Sequence, residues 1–375
     1  MRTRWNIFLT VTISAILFAS VYSGCGDPEP GQEEETPAGL EEEVGEQDRI
    51  TGRIIRPEHN SRFVVGEPVE IELDFDEEAP APARLTLFVD GREMDAKTVS
   101  GTRLVWESGM TRTGNRRIRV RVEFENGITA QYSTRIVFTS DIEPANHSYR
   151  ILNTYPHDIN AFTQGLVYDG RHLYESTGQY GKSTLRRVDP ETGDVLQSAS
   201  LERDFFGEGL ALLNDKLYQL TWKEGVGFIY EKDSFQLLGR FRFPTEGWGL
   251  TTDGEYLLKT DGSDNVYVYD TVNLSEVDRF QVYDMNGPVT GLNEMEYKEG
   301  LIYANVFDTE KIVIFERGTG RVRGWLDLSG ILEEEHHHPG LDVMNGIAYN
   351  PHNGAFFVTG KNWPLLFEIE ILKRE

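Results

Sequence analysis

From residue 50 onward apolar and polar positions alternate. Val69, Ile71, Leu73 and Phe75 share one parity, as do Leu85, Leu87 and Val89, and then Ile118, Val120, Val122 and Phe124. A period of two sends successive side chains to opposite faces, so each run predicts a strand with one face buried and one wet. Asp90-Gly91 and Asn126-Gly127 follow or separate such runs, and these pairs tolerate the left-handed backbone that a tight hairpin needs. The pattern predicts an antiparallel sandwich of six or seven strands over residues 50–140. Its charges alternate as solvent faces do and its only histidine is His59. It is therefore expected to be a spacer or adhesion module, not a catalytic one.

Residues 146–375 carry a short, degenerate repeat. A polar or aromatic residue followed by a Gly-Leu-like step recurs five times: Gln164-Gly165-Leu166, Glu208-Gly209-Leu210, Trp248-Gly249-Leu250, Asn293-Glu294-Met295 and Asn345-Gly346-Ile347. The middle residues stand 44, 40, 45 and 52 positions apart, the length of one four-stranded propeller blade. After each step a turn (Asp169-Gly170, Asn214-Asp215, Asp253-Gly254, Glu299-Gly300, Asn353-Gly354) returns the chain in a second strand. The expected fold class is all-β: a five-bladed β-propeller over 146–375, preceded by the sandwich, which looks like an immunoglobulin-like module without its inter-sheet disulfide.

In an up-and-down blade the start of the first strand and the end of the second lie at the same end of the fold. Ten residues are thereby expected at one mouth. Gln164, Glu208, Trp248, Asn293 and Asn345 come from the starts; Thr177, Trp222, Asp261, Phe307 and Lys361 come from the ends. Positions that merely pack should repeat between blades. These differ, while the glycine and apolar neighbours recur. Varied polar, aromatic and charged side chains on a common rigid frame are what a binding pocket requires.

The N-terminal part obeys other rules. Arg2 and Arg4 precede a mostly apolar stretch, 5–22, that exits through Ser23, Gly24 and Cys25. A charged start, an apolar middle and a small-residue exit make 1–25 a signal peptide, so the bulk of the chain is expected to leave the cytoplasm. The cysteine at the exit resembles a bacterial lipoprotein signal, in which Cys25 is lipidated and becomes the mature N-terminus. A plain cleaved signal and an uncleaved anchor helix are the alternatives. In the lipoprotein reading the protein sits in the cell envelope, periplasmic or at the surface, and meets the membrane only through that anchor. Residues 26–48 hold ten Asp or Glu and no Lys or Arg, with Pro28, Pro30 and Pro37 among them. Such a segment cannot bury enough surface to offset chain entropy, so 26–49 is expected to be an extended tether.

Composition narrows the picture further. The chain has 62 acidic and 37 basic side chains, net charge -25. Nucleic acid is disfavoured as a partner, because phosphate binding runs on clustered Lys and Arg. Ten of those 25 net charges lie in the tether, so the imbalance says little about the pocket. A single cysteine removes intrachain disulfides, Cys-based zinc sites and CxxC redox chemistry.

Seven ordered strings carry a family resemblance: Phe162-Thr163-Gln164-Gly165-Leu166, Glu175-Ser176-Thr177-Gly178, Phe206-Gly207-Glu208-Gly209-Leu210, Gly247-Trp248-Gly249-Leu250, Leu292-Asn293-Glu294-Met295-Glu296, Ala304-Asn305-Val306-Phe307 and Val358-Thr359-Gly360-Lys361-Asn362-Trp363-Pro364. They resemble the plant and bacterial type of glutaminyl-peptide cyclotransferase across all five repeats, but not in the tether or sandwich. The resemblance implies a five-bladed propeller that turns an N-terminal Gln of a peptide or protein into pyroglutamate and releases ammonia, without a metal or a covalent nucleophile. It implies Glu208 as the essential acid/base, and Phe162, Gln164, Phe206, Trp222, Trp248, Asn293 and Lys361 as pocket lining. Phe307 stands where the family usually has Trp after Ala-Asn-Val, which keeps an aromatic wall and loses an indole N–H donor.

These residue types suit that chemistry. Ring closure is intramolecular, so walls that fold the Gln into a near-attack shape supply much of the rate. One carboxyl that takes a proton from the amine and returns it to the leaving nitrogen serves both halves of the reaction, and Glu208 between Gly207 and Gly209 suits a recess that raises its pKa. Lys361, Gln164 and Asn293 are expected to donate to the amide oxygen as it gains charge. Weaker constellations remain. His336, His337 and His338 after Glu333, Glu334 and Glu335 have metal-ligand chemistry but not metal-ligand facing, and a solvated loop is expected. No cofactor is required, while a structural cation in the axial channel stays open, with Asp264 and Asp270 as candidates. The competing function is a non-catalytic propeller that holds a peptide or glycan in the same mouth.

Overall fold

The computed structural model describes residues 50–109 and 111–372. Cys25, the expected signal peptide and the expected tether lie outside them. Among the described residues the chain is almost all strand and turn, with a three-residue 3-10 turn at Glu334–His336.

The N-terminal part forms nine strands in two sheets, more than the six or seven expected. One sheet orders Gly52–Arg56, Pro68–Phe75, Arg103–Glu107 and Lys97–Ser100; the other orders Ser61–Val64, Thr129–Thr139, Gly114–Phe124, Pro82–Val89 and Arg92–Met94. The additional strands are short pieces at sheet edges, such as Arg92–Met94, with too few residues to show an alternation. The alternating faces do meet. Val69, Ile71, Leu73, Leu104 and Trp106 of the first sheet pack on Leu87, Ile118, Val120, Val122 and Phe138 of the second. Asp90 and Gly91 take φ of 48° and 83°, the left-handed pair that a two-residue hairpin demands.

Each of the first four repeats folds as its own antiparallel meander. The strands are Thr163–Tyr168, Leu173–Thr177, Thr184–Val188 and Val195–Ser200; Gly207–Leu213, Lys216–Thr221, Val226–Glu231 and Leu237–Arg242; Leu250–Thr252, Tyr256–Lys259, Asn265–Asp270 and Glu276–Gln281; and Leu292–Lys298, Leu301–Val306, Lys311–Glu316 and Val322–Asp327. The fifth has only Met344–Tyr349, Phe356–Gly360 and Leu365–Leu372 and takes its fourth strand from the earlier segment Ala145–Pro156. That long strand runs parallel to Val322–Asp327 at its beginning and antiparallel to Leu365–Leu372 thereafter, which merges the last two sheets into one of eight strands. The first strands of the five repeats touch in sequence, and Met344–Tyr349 returns to Thr163–Tyr168, closing a ring.

The recurring glycine follows from that closeness. A Cβ added to Gly165 or Gly209 would lie 2.4 Å from a backbone nitrogen of the next repeat, and one added to Gly249 would lie 1.9 Å from the Asn293 carbonyl oxygen. The fourth repeat has Glu294 at this place. Its buried carboxyl accepts the backbone N–H groups of Leu166 (3.2 Å) and Ile347 (2.9 Å), so it ties the fourth repeat to the first and fifth. The two-sheet part docks on the third and fourth repeats: the Arg112 guanidinium donates to both Asp278 oxygens at 2.8 and 2.6 Å, and the Thr113 N–H donates to the Thr319 carbonyl.

Candidate active site

One cavity of about 370 Å³ gathers Phe162, Gln164, Phe206, Glu208, Trp222, Trp248, Asn293, Phe307, Asp342 and Lys361. Nine of these ten were singled out from the sequence. Two local devices aim them. Gln164, Glu208 and Asn293 lie in first strands where the pairing with the second strand slips, between Thr163 and Gly165, Gly207 and Leu210, and Leu292 and Met295. A bulge frees a residue from the ladder and re-aims its side chain. Trp222, Phe307 and Lys361 each directly follow the last residue of a second strand, Thr221, Val306 and Gly360, and so leave the ladder at the mouth.

Three of the ten mouth positions do not line the cavity. Thr177 is still paired with Thr163 inside the ladder, and its hydroxyl bonds the Thr184 hydroxyl at 2.7 Å. Asp261 lies two residues past its strand and accepts the Tyr267 hydroxyl at 2.7 Å. Asn345 stands behind Gln164: its Nδ2 donates to Gln164 Oε1 and to the Thr163 carbonyl, both at 3.1 Å. Gln164 Nε2 in turn donates to Glu208 Oε1 at 2.8 Å. One of the two Gln164 amide N–H groups is thus turned onto the carboxyl, and Asn345, Gln164 and Glu208 form one chain of hydrogen bonds.

Glu208 is 4% exposed, and burial holds its carboxyl well above the usual carboxylate range. Lys361 opposes that shift, while the charges of Glu246 and Glu224 add to it. Lys361 is 5% exposed and its ammonium pKa is lowered by burial, against the pull of Glu208 and Asp342. Its Nζ lies 4.9 Å from the Phe162 ring centre and 5.5 Å from that of Phe307. Asn293 Oδ1 is buried without a hydrogen-bond partner. A polar group in that condition is costly unless function uses it.

The walls are aromatic and meet edge to face. Phe206 contacts Phe162, Tyr180 and Trp222 at 6.1, 5.3 and 5.5 Å between ring centres, and Trp248 contacts Phe307 at 5.3 Å. Glu246 Oε2 accepts both indole N–H groups, from Trp222 at 2.7 Å and from Trp248 at 2.9 Å. The two tryptophans therefore show the cavity only their apolar faces. Glu246, Tyr180 and Asp342 escaped the sequence reading because they sit in loops outside the repeating step. The one signal for Glu246 is its place two residues before Trp248, beside Gly247.

The other constellations stand apart from the cavity. His338 Nε2 is 2.8 Å from the Asn362 carbonyl and His337 Nε2 is 3.2 Å from that of Leu332, so two of the three histidines brace the loop that was expected to be merely solvated. Asp264 and Asp270 flank opposite ends of the strand Asn265–Asp270, roughly 20 Å apart, and cannot share one ion. Among the described residues no group of three or more His, Cys, Asp or Glu is placed to hold a metal.

A closed ring of strands with a buried carboxyl, a buried ammonium and five aromatic side chains at one mouth is a site with acid/base chemistry on an all-β, propeller-like frame. Comparison with known proteins agrees. A family model described as glutamine cyclotransferase matches residues 126–371. The glutaminyl-peptide cyclotransferase of Arabidopsis thaliana is 38% identical over 237 residues, which is 62% of this chain and 73% of the relative. The crystal structure of Myxococcus xanthus glutaminyl cyclase matches with a TM-score of 0.58 and 35% identity, over 62% of this chain and 100% of that one. The chain belongs to the glutamine cyclotransferase family and is an enzyme of that class.

Proposed function

We propose that this protein cyclises the N-terminal Gln of peptides or proteins to pyroglutamate on a five-bladed propeller, behind an immunoglobulin-like spacer. The observation that carries the reading is Glu208: a buried carboxyl of raised pKa, held by Gln164 inside an aromatic cavity and facing Lys361. The α-amine nitrogen attacks the side-chain amide carbon of the same Gln, forming the ring C–N bond. Glu208 as carboxylate takes the proton that the amine loses. Lys361 and the Asn293 amide N–H stabilise the negative charge on the amide oxygen. Glu208 then gives its proton to the former amide nitrogen, the old C–N bond breaks, and ammonia leaves. Trp222, Trp248, Phe162, Phe206 and Phe307 hold the Gln side chain folded toward its own amine and exclude water.

The five groups of strands and their closed inner ring support the five-blade reading, with the N-terminal strand completing the fifth blade. In the same proposal the reaction needs no metal, and the chain is exported and tethered through a lipid on Cys25. The test is ammonia release from a Gln-initiated peptide by the purified protein, with and without a chelator. Equal release in both is expected. No release sinks the activity, and loss on chelation with recovery on zinc sinks the metal-independent mechanism.

A further inference from the structure

Glu246 is not part of the chemistry just described, yet the chain places it with unusual care. A single oxygen, Oε2, receives two indole N–H groups from residues on different repeats, Trp222 and Trp248. The residue before it, Thr245, has φ of 67°, a left-handed backbone that a β-branched side chain rarely adopts. The residue after it, Gly247, admits no side chain, because a Cβ there would lie 2.4 Å from the Thr221 carbonyl oxygen. Lys259, 1% exposed, holds this strained turn from below: its ammonium donates to Thr245 Oγ1 at 2.9 Å and to the Glu246 carbonyl at 2.8 Å. Burial lowers the pKa of Lys259 to about 8. A buried ammonium and an outlying backbone angle at one turn call for a reason, and strain of this kind gathers at functional sites.

We infer that Glu246 is a positioning residue for the cyclisation: its one carboxylate oxygen sets the facing of two aromatic walls at once. This rests on the reading under Proposed function and adds a residue to it. An indole ring rotates about its side-chain bonds unless its N–H is tied. With both N–H groups tied to one atom, Trp222 and Trp248 keep a fixed mutual angle in the cavity wall. Both N–H groups are also withheld from the substrate, so the amide oxygen is left to the other donors of the cavity, Lys361, Asn293 and the second Gln164 N–H. The charge of Glu246 disfavours the ionised form of Glu208. The other charged groups facing Glu208 are Lys361, which acts the opposite way, and Glu224, which acts the same way.

The two roles separate in two variants of the full chain. Glu246→Gln keeps an acceptor for the indoles and removes the charge. It is expected to leave KM and tryptophan emission near wild type and to move the acid limb of kcat/KM to lower pH. Glu246→Ala removes the acceptor and is expected to shift tryptophan emission and raise KM by about tenfold to a hundredfold, the scale of a misplaced substrate. Far-ultraviolet circular dichroism checks that both variants fold. If Glu246→Ala folds with wild-type emission and KM, or if the two variants lose KM equally, the positioning role is overturned. An unmoved acid limb in Glu246→Gln overturns the electrostatic role. A wild-type protein that releases no ammonia overturns the proposed function itself, and this inference with it.

Discussion

The two-sheet N-terminal part and the ring are made of the same strands and turns, but they bury different things. In the N-terminal part, Pro68–Phe75 alternates buried apolar and outward polar residues, and the buried polar side chains there are uncharged Thr and Ser. In the ring, Gly207–Leu213 and Leu173–Thr177 are buried on both faces. There the interior holds Glu175, Glu208, Lys259, Glu294, Lys361 and Glu368. Burying an ionisable group costs free energy unless it is paired or bonded. Glu294 ties repeats together, whereas Glu208 and Lys361 stand in the cavity, so the ring holds the candidate site, and stability and spacing are the role proposed for the two-sheet part.

The strongest way to break the comparison is Glu208→Gln. The ring reading expects kcat to fall by about ten-thousandfold, the upper range for losing a general acid/base, with the fold intact. Turnover near wild type, measured as ammonia release, would remove the ring's claim to the chemistry through this residue. The same carboxyl fixes a pH signature. As a base it must be ionised, so kcat/KM should rise with pH through a midpoint well above the usual carboxylate range. Stability runs the other way. The native state binds the Glu208 proton more tightly than the unfolded chain does, so this contribution is full below the unfolded pKa and is lost as pH rises through the folded one. Glu208→Gln should remove both the acid limb and that part of the decline in melting temperature.

A sandwich residue should show the opposite split. Trp106 is 2% exposed and stands edge-on to Phe138 at 5.9 Å. Trp106→Ala should cost about 3–5 kcal/mol of stability in chemical denaturation. Below the unfolding midpoint, kcat per folded molecule should stay at the wild-type value. A fall in kcat without unfolding would mean that the two-sheet part shapes the active site and that the division of labour is false.

The two parts also differ in how far the sequence discloses them. The sandwich core was legible because alternation needs only a period of two, and Val69, Ile71, Ile118 and Val120 all point inward. Its short edge strands were not, because Arg92–Met94 is three residues long. In the ring the glycine step located the first strands, since a close approach between neighbouring strands leaves the same mark in four of five repeats. Its variable neighbours then marked the cavity. What stayed hidden depends on single loop conformations. Asp261 is turned from the mouth by the hydroxyl of Tyr267, six residues on, and one Gln164 N–H is claimed by Glu208, 44 residues on, and neither bond is written in the repeating step. Glu246 and Asp342 belong to no period at all. The strand that completes the fifth repeat comes from Ala145–Pro156, more than 200 residues before its partner Leu365–Leu372, and no local pattern announces such a pairing.

The mildest test concerns the seam between the parts. Arg112 meets both oxygens of Asp278, and the two side chains are 39% and 38% exposed. Water and salt screen a pair so exposed, and long side chains lose freedom in holding it, so Arg112→Ala should cost less than about 1 kcal/mol. Backbone bonds from Thr113 and the Gln281 side chain, which accepts the Asn115 N–H at 2.7 Å, still hold the seam in the variant. Melting should therefore remain a single transition with a small downward shift, and added salt should shrink the difference between variant and wild type. Two separated transitions in the variant would show that one ion pair couples the parts. The sandwich would then be a hinged attachment whose docking depends on charge, instead of a spacer fixed by its backbone.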